Sequence, residues 1–109
     1  MAYNEELANR IRAIMKRRKG ITERKMFGGV AFMVNGNMCC GVVDDEIVLR
    51  LGDEGAAAAL ERKHTREMDF TGKPLKSMVY VSAAGIKTDA SLRKWVLEGL
   101  EFARSLPAK

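Results

Sequence analysis

The chain has 109 residues, 47% of them hydrophobic and 30% charged, with a net charge of +5 at neutral pH. That usage excludes a disordered polyelectrolyte, and the length fits a single domain over residues 1–109 whose core needs no disulfides. No apolar run approaches the ~18 residues of a membrane helix, and the opening MAYNEELANR lacks the apolar centre of a signal peptide. The expectation is a cytoplasmic protein with no membrane partner.

Asn4 suits an N-cap, and Glu5 and Glu6 suit the positive end of a helix dipole. Leu7, Ile11, Ile14 and Met15 recur at helical spacing, so a first helix is expected over residues 4–19, stopped by Gly20 at C′. Arg10, Arg12, Lys16, Arg17 and Lys19 fall away from the apolar stripe. Arg18 falls near it, at the helix end, where its charge can reach outward. From Arg10 to Lys25 there are eight basic residues against Glu23 alone, a local charge of +7 in a chain of net +5. Arg10, Arg12, Lys16, Arg17, Lys19, Arg24 and Lys25 are therefore the candidate interaction surface, open to an acidic protein or to nucleic acid.

Ile21 to Arg24 reads as a connector. Lys25 to Val43 reads as two strands joined at Asn35-Gly36, the strongest short hairpin signal. Gly28-Gly29 fits neither a GxGxxG nor a Walker motif; it is read as the place where a helix crosses the sheet closely. Neighbouring strand residues point to opposite faces, so Cys39 and Cys40 are expected apart, one thiol in the core and one more exposed. With one histidine, His64, and no CxxC spacing, neither a metal nor a cofactor is expected.

Asp44-Asp45-Glu46 reads as an exposed turn, and Ile47 to Leu51 as the third strand of a meander. A short helix is expected over residues 54–62, capped by Asp53. Met68-Asp69-Phe70 suggests a short extended piece, Thr71 to Pro74 a loop, Met78 to Val81 a strand and Ala84-Gly85 a turn. Asp69, Thr71, Lys73 and Lys76 are polar but meet no Cys–His or Ser–His–Asp arrangement, so no catalytic residue is assigned. Thr88 or Asp89 caps the last helix. Its stripe is Leu92, Trp95, Val96, Gly99, Leu100, Ala103 and Leu106, with Arg93, Lys94, Glu98, Glu101 and Arg104 opposite, and Leu97 exposed. Trp95 reads as core rather than as a stacking platform. The order α-β-β-β-α-(β)-β-α points to an α+β, two-layer sandwich: an antiparallel meander sheet with helices packed on one face.

Met26 to Phe32 (MFGGVAF), Asn35 to Met38 (NGNM), Met68 to Pro74 (MDFTGKP), Val79 to Val81 (VYV) and the span from Trp95-Val96 through Phe102-Ala103 resemble, in that order, the N-terminal domain of the TfoX/Sxy family. Full-length members of that family regulate natural competence in bacteria, together with a cyclic-AMP-dependent transcription activator. The resemblance implies a stand-alone N-terminal domain, since the second helical domain of the full-length regulators has no counterpart here. It implies a regulatory role and transfers no catalytic or ligand site.

The expected function is accordingly a non-enzymatic regulatory or interaction module with a protein partner, a transcription regulator among the candidates. The alternative is weak, sequence-nonspecific nucleic-acid binding through Arg10 to Lys25; a small enzyme using Cys39 or Cys40 ranks last. A homodimer through a strand edge or Leu97 stays open.

Overall fold

The computed structural model describes residues 3–16, 18–26, 28–68 and 75–107. Arg17, Phe27, the extended piece expected at Asp69-Phe70 and the Thr71 to Pro74 loop lie outside them. Among the described residues, three α-helices pack against an antiparallel sheet, the α+β sandwich expected, but the sheet has six strands where the expected order has five. The elements run α1 (Glu5–Met15), β1 (Ile21–Met26), β2 (Gly29–Val34), β3 (Asn37–Val43), β4 (Glu46–Arg50), α2 (Gly52–Ala59), β5 (Thr65–Met68), β6 (Leu75–Val81), a 3-10 turn (Ala83–Ile86) and α3 (Asp89–Ser105). The first four strands form a meander. β6 then lies beside β4, with β5 outside it, giving the order β1-β2-β3-β4-β6-β5.

α1 begins as expected: the Asn4 side chain accepts from Leu7 N–H at 3.1 Å. It ends four residues early. No apolar side chain between Lys16 and Lys19 can hold a further turn on the sheet, and Arg18 N–H closes the end on Met15 O at 3.0 Å. Gly20, at φ +78°, instead turns the chain into β1, and its carbonyl accepts from Asn35 N–H at 2.9 Å.

The expected connector is thus a strand. β1 pairs with β2 from Ile21↔Val34 to Met26↔Gly29. Its polar run (Thr22 to Lys25) hides it from periodicity, because an edge strand needs little apolar burial. The β2–β3 hairpin matches expectation, with Asn35 and Gly36 both at positive φ, as a type I′ turn requires. Gly28-Gly29 does not mark a helix crossing: a Cβ on Gly29 would meet Val42 O of β3, a strand neighbour.

α2 starts at Gly52 and ends at Ala59, earlier than expected at both ends. Asp53 lies in its first turn instead of capping it, and Leu51 at the cap position makes no side-chain cap bond. β5 ends on Met68, the first residue of the extended piece expected at Met68-Asp69-Phe70. Thr65 anchors it by donating its hydroxyl to Ala59 O and Arg62 O, both at 2.9 Å. β6 starts three residues before Met78. α3 is capped by Thr88, whose hydroxyl oxygen accepts from Ser91 N–H at 3.0 Å.

One face of the sheet carries the main core. Leu7, Ile11 and Met15 of α1, Ala56 and Ala59 of α2, and Leu92, Trp95, Val96 and Leu100 of α3 cover Phe32, Val42, Ile47, Leu49, Val79 and Val81. Burying each large apolar side chain is worth about 1.5–3 kcal/mol, which fixes the helices to this face. Leu97 is half-buried against the same core, not exposed, because α3 also leans on α1. A second, smaller cluster on the other face holds Ala31, Met38, Val48, Met68 and Met78.

Candidate interaction surface

The basic segment folds into two different surfaces. Its first part lies on α1, facing α3; its last part is β1, at the sheet edge.

On α1, two of the seven candidates are used internally. Arg10 donates from Nε to Asp89 Oδ1 at 3.2 Å, and its Nη2 reaches Ile86 O at 3.0 Å, joining α1 to the start of α3. Arg12 forks onto Glu23 of β1, at 2.9 and 2.8 Å, and also donates to Asn9 at 2.6 Å. The hydrogen bond from Arg12 holds the Glu23 carboxyl below its usual range, and the same bond raises Arg12. Lys16, Lys19, Arg24 and Lys25 are exposed. Arg17 lies outside the described residues.

Among the described residues, β1 closes one end of the sheet and pairs only with β2. Its outer edge therefore offers backbone N–H and C=O groups to another chain. Strand alternation places Lys25 on the helix side with Ile21 and Glu23, and Arg24 on the opposite side. The open edge is flanked by a cation on each face.

Between α1 and α3 the surface sinks into two adjoining depressions. One, of about 270 Å³, is lined by Arg10, Ala13, Ile14, Asp89 and Arg93. The other, of about 410 Å³, is lined by Ala13, Ile14, Lys16, Arg18 and Arg93. Arg93 lies 75 residues beyond Arg18 in the chain, so its part in this basic surface was not legible locally. Arg18 does not extend freely into water. It is half-buried, and its Nε is covered without a hydrogen-bond acceptor.

Cys39 and Cys40 depart from expectation. Both are fully buried and unbridged, on the helix-covered side. A β-bulge explains it: Phe32 pairs with Cys40 but Met33 with Met38, so Cys39 is an extra residue and alternation fails there. The hydrogen bond with Cys39, then burial, pushes the Cys40 thiol well above its ordinary value. A thiol held protonated and away from water is a poor nucleophile. No cluster of metal-ligating side chains occurs among the described residues, and no helix there is long and apolar enough to cross a membrane.

Compared with known protein families, residues 13–103 match the model of the TfoX N-terminal domain. No curated protein and no solved structure matches.

Proposed function

The chain belongs to the TfoX N-terminal domain family, and on that premise we propose that it is a non-enzymatic module of transcription control in the cytoplasm, docking on an acidic protein partner. The observation that carries this reading is β1. It is an edge strand with one side unpaired among the described residues, bearing Arg24 and Lys25 exposed. A partner segment adding to that edge would gain main-chain hydrogen bonds, and acidic side chains on it would meet a cation on either face. The TfoX/Sxy resemblance supplies the regulatory setting, with competence as its expected context.

Nucleic acid is less well served by the same segment. Arg10 and Arg12 are engaged with Asp89 and Glu23, which breaks the run of free cations along α1. The test is retention of proteins from an extract of the source cells at physiological salt. The wild type should retain a transcription factor or polymerase subunit, and Arg24→Glu/Lys25→Glu should lose it. Recovery of no specific protein, or unchanged retention by the variant, counts against the proposal.

A further inference from the structure

We propose that the depression between α1 and α3 is a binding site for a phosphate group. This goes beyond the docking role and uses different residues. Lys16, Arg18 and Arg93 line the depression, and no carboxylate among the described residues lines it. Its remaining lining among the described residues is Ala13 and Ile14.

The three cations are not used by the fold. Lys16 and Arg93 are exposed and make no hydrogen bond or ion pair among the described residues. Arg18 is half-buried with Nε covered and without an acceptor. Arg18 therefore brings its charge to the depression without its Nε being within a ligand's reach. The neighbouring Asp89 is bonded to Arg10.

Charge density selects the ligand. A carboxylate brings one negative charge, whereas a phosphate monoester brings nearly two on one centre, with three acceptor oxygens. Two guanidinium groups suit forked contacts to such oxygens, and Lys16 adds a point charge. The phosphate can belong to a small free molecule or to the 5′-phosphorylated end of a nucleic-acid strand, which carry the same monoester group; an internal phosphodiester brings one charge only.

The test titrates the whole chain with pyrophosphate by calorimetry, and with a 5′-phosphorylated, 3′-labelled single-stranded oligonucleotide by anisotropy, both at low salt. Saturable pyrophosphate binding is expected, weakened at least tenfold in Lys16→Ala/Arg93→Ala. Both residues are exposed, so the variant should fold, which unchanged Trp95 emission would verify. Arg24→Glu/Lys25→Glu should keep full pyrophosphate affinity, so this site and the β1 docking edge can fail separately. If pyrophosphate binds and the oligonucleotide does not, the source is a free phosphorylated molecule. If the oligonucleotide binds and pyrophosphate displaces it, the source is a strand. Any of four results overturns the proposal: no saturable binding of either probe, oligonucleotide binding that pyrophosphate cannot displace, equal affinity for polyglutamate, or pyrophosphate affinity unchanged in the Lys16/Arg93 variant.

Discussion

The carbonyl oxygen of Cys39 lies 2.9 Å from the point that a Cβ on Gly99 would occupy. Here α3 presses closely on β3. The bulge at Cys39 lifts that carbonyl and thiol toward the helix, and Gly99 leaves them room.

Gly99→Ala should therefore destabilise the fold, although alanine is the better helix former by about 1 kcal/mol. The added methyl meets a backbone oxygen that cannot rotate away, and overpacking of this kind costs about 1–3 kcal/mol. The net expectation is a loss of about 1 kcal/mol, read as a lower urea midpoint at unchanged slope. A midpoint at or above wild type would show that α3 can shift freely over β3.

The paired thiols give a pH signature. Cys40 is held protonated in the folded protein, while in the unfolded chain it ionises near pH ~8.5. Above that pH the unfolded state binds fewer protons than the folded one. Stability is then lost as pH rises toward the folded value, by up to about 1.4 kcal/mol per pH unit for this one group, and is fully present below the unfolded value. Denaturant midpoints between pH 7 and 10 should fall more steeply in wild type than in Cys40→Ala. Equal slopes would mean that Cys40 titrates normally in the fold.

What was legible in the sequence followed periodicity and turn chemistry. Asn35-Gly36, the Leu92 to Ala103 stripe and the Asn4 cap each carry a local signal, and each stands where it was expected. β1 carries none, because an edge strand can be polar throughout. Close helix approach was read at Gly28-Gly29 and occurs at Gly99, since a glycine alone does not say which backbone comes near. The cysteines mislead for a related reason: one inserted residue reverses alternation, and no residue type announces it. The α1–α3 depression needs Arg93 beside Arg18, a contact only the tertiary fold provides.

Arg62 illustrates the same limit and gives a third prediction. Its position after α2 suits the helix dipole, but its guanidinium lies 3.6 Å from the centre of the Trp95 ring, and one nitrogen, Nη1, donates to both carboxylate oxygens of Glu98 at 2.9 and 3.0 Å. Stacking on the ring needs the planar guanidinium, which lysine lacks, whereas a single-nitrogen contact to Glu98 is open to an ammonium as well. Arg62→Ala should cost about 1–2 kcal/mol, with Arg62→Lys recovering less than half of that. Trp95, the single tryptophan, reports the unfolding directly by its fluorescence. A lysine variant as stable as wild type would reduce the contact to a simple charge effect.

The Arg12–Glu23 pair joins α1 to the edge strand, and its exposure sets its weight. The side chains keep 36% and 40% of their surface, so water and salt screen them despite the forked geometry. Glu23→Gln should cost less than about 1 kcal/mol at neutral pH, and 1 M salt should nearly erase the difference. The sign with pH follows from the lowered Glu23 carboxyl. Its contribution is present above the unfolded value near pH ~4.3 and is lost as pH falls through the folded value. Wild type and Glu23→Gln should therefore converge in acid. A double-mutant cycle with Arg12→Gln gives the coupling itself. A coupling above about 2 kcal/mol would be out of reach for an exposed pair, and would mean that β1 folds back over it and is not the open edge on which the docking proposal depends.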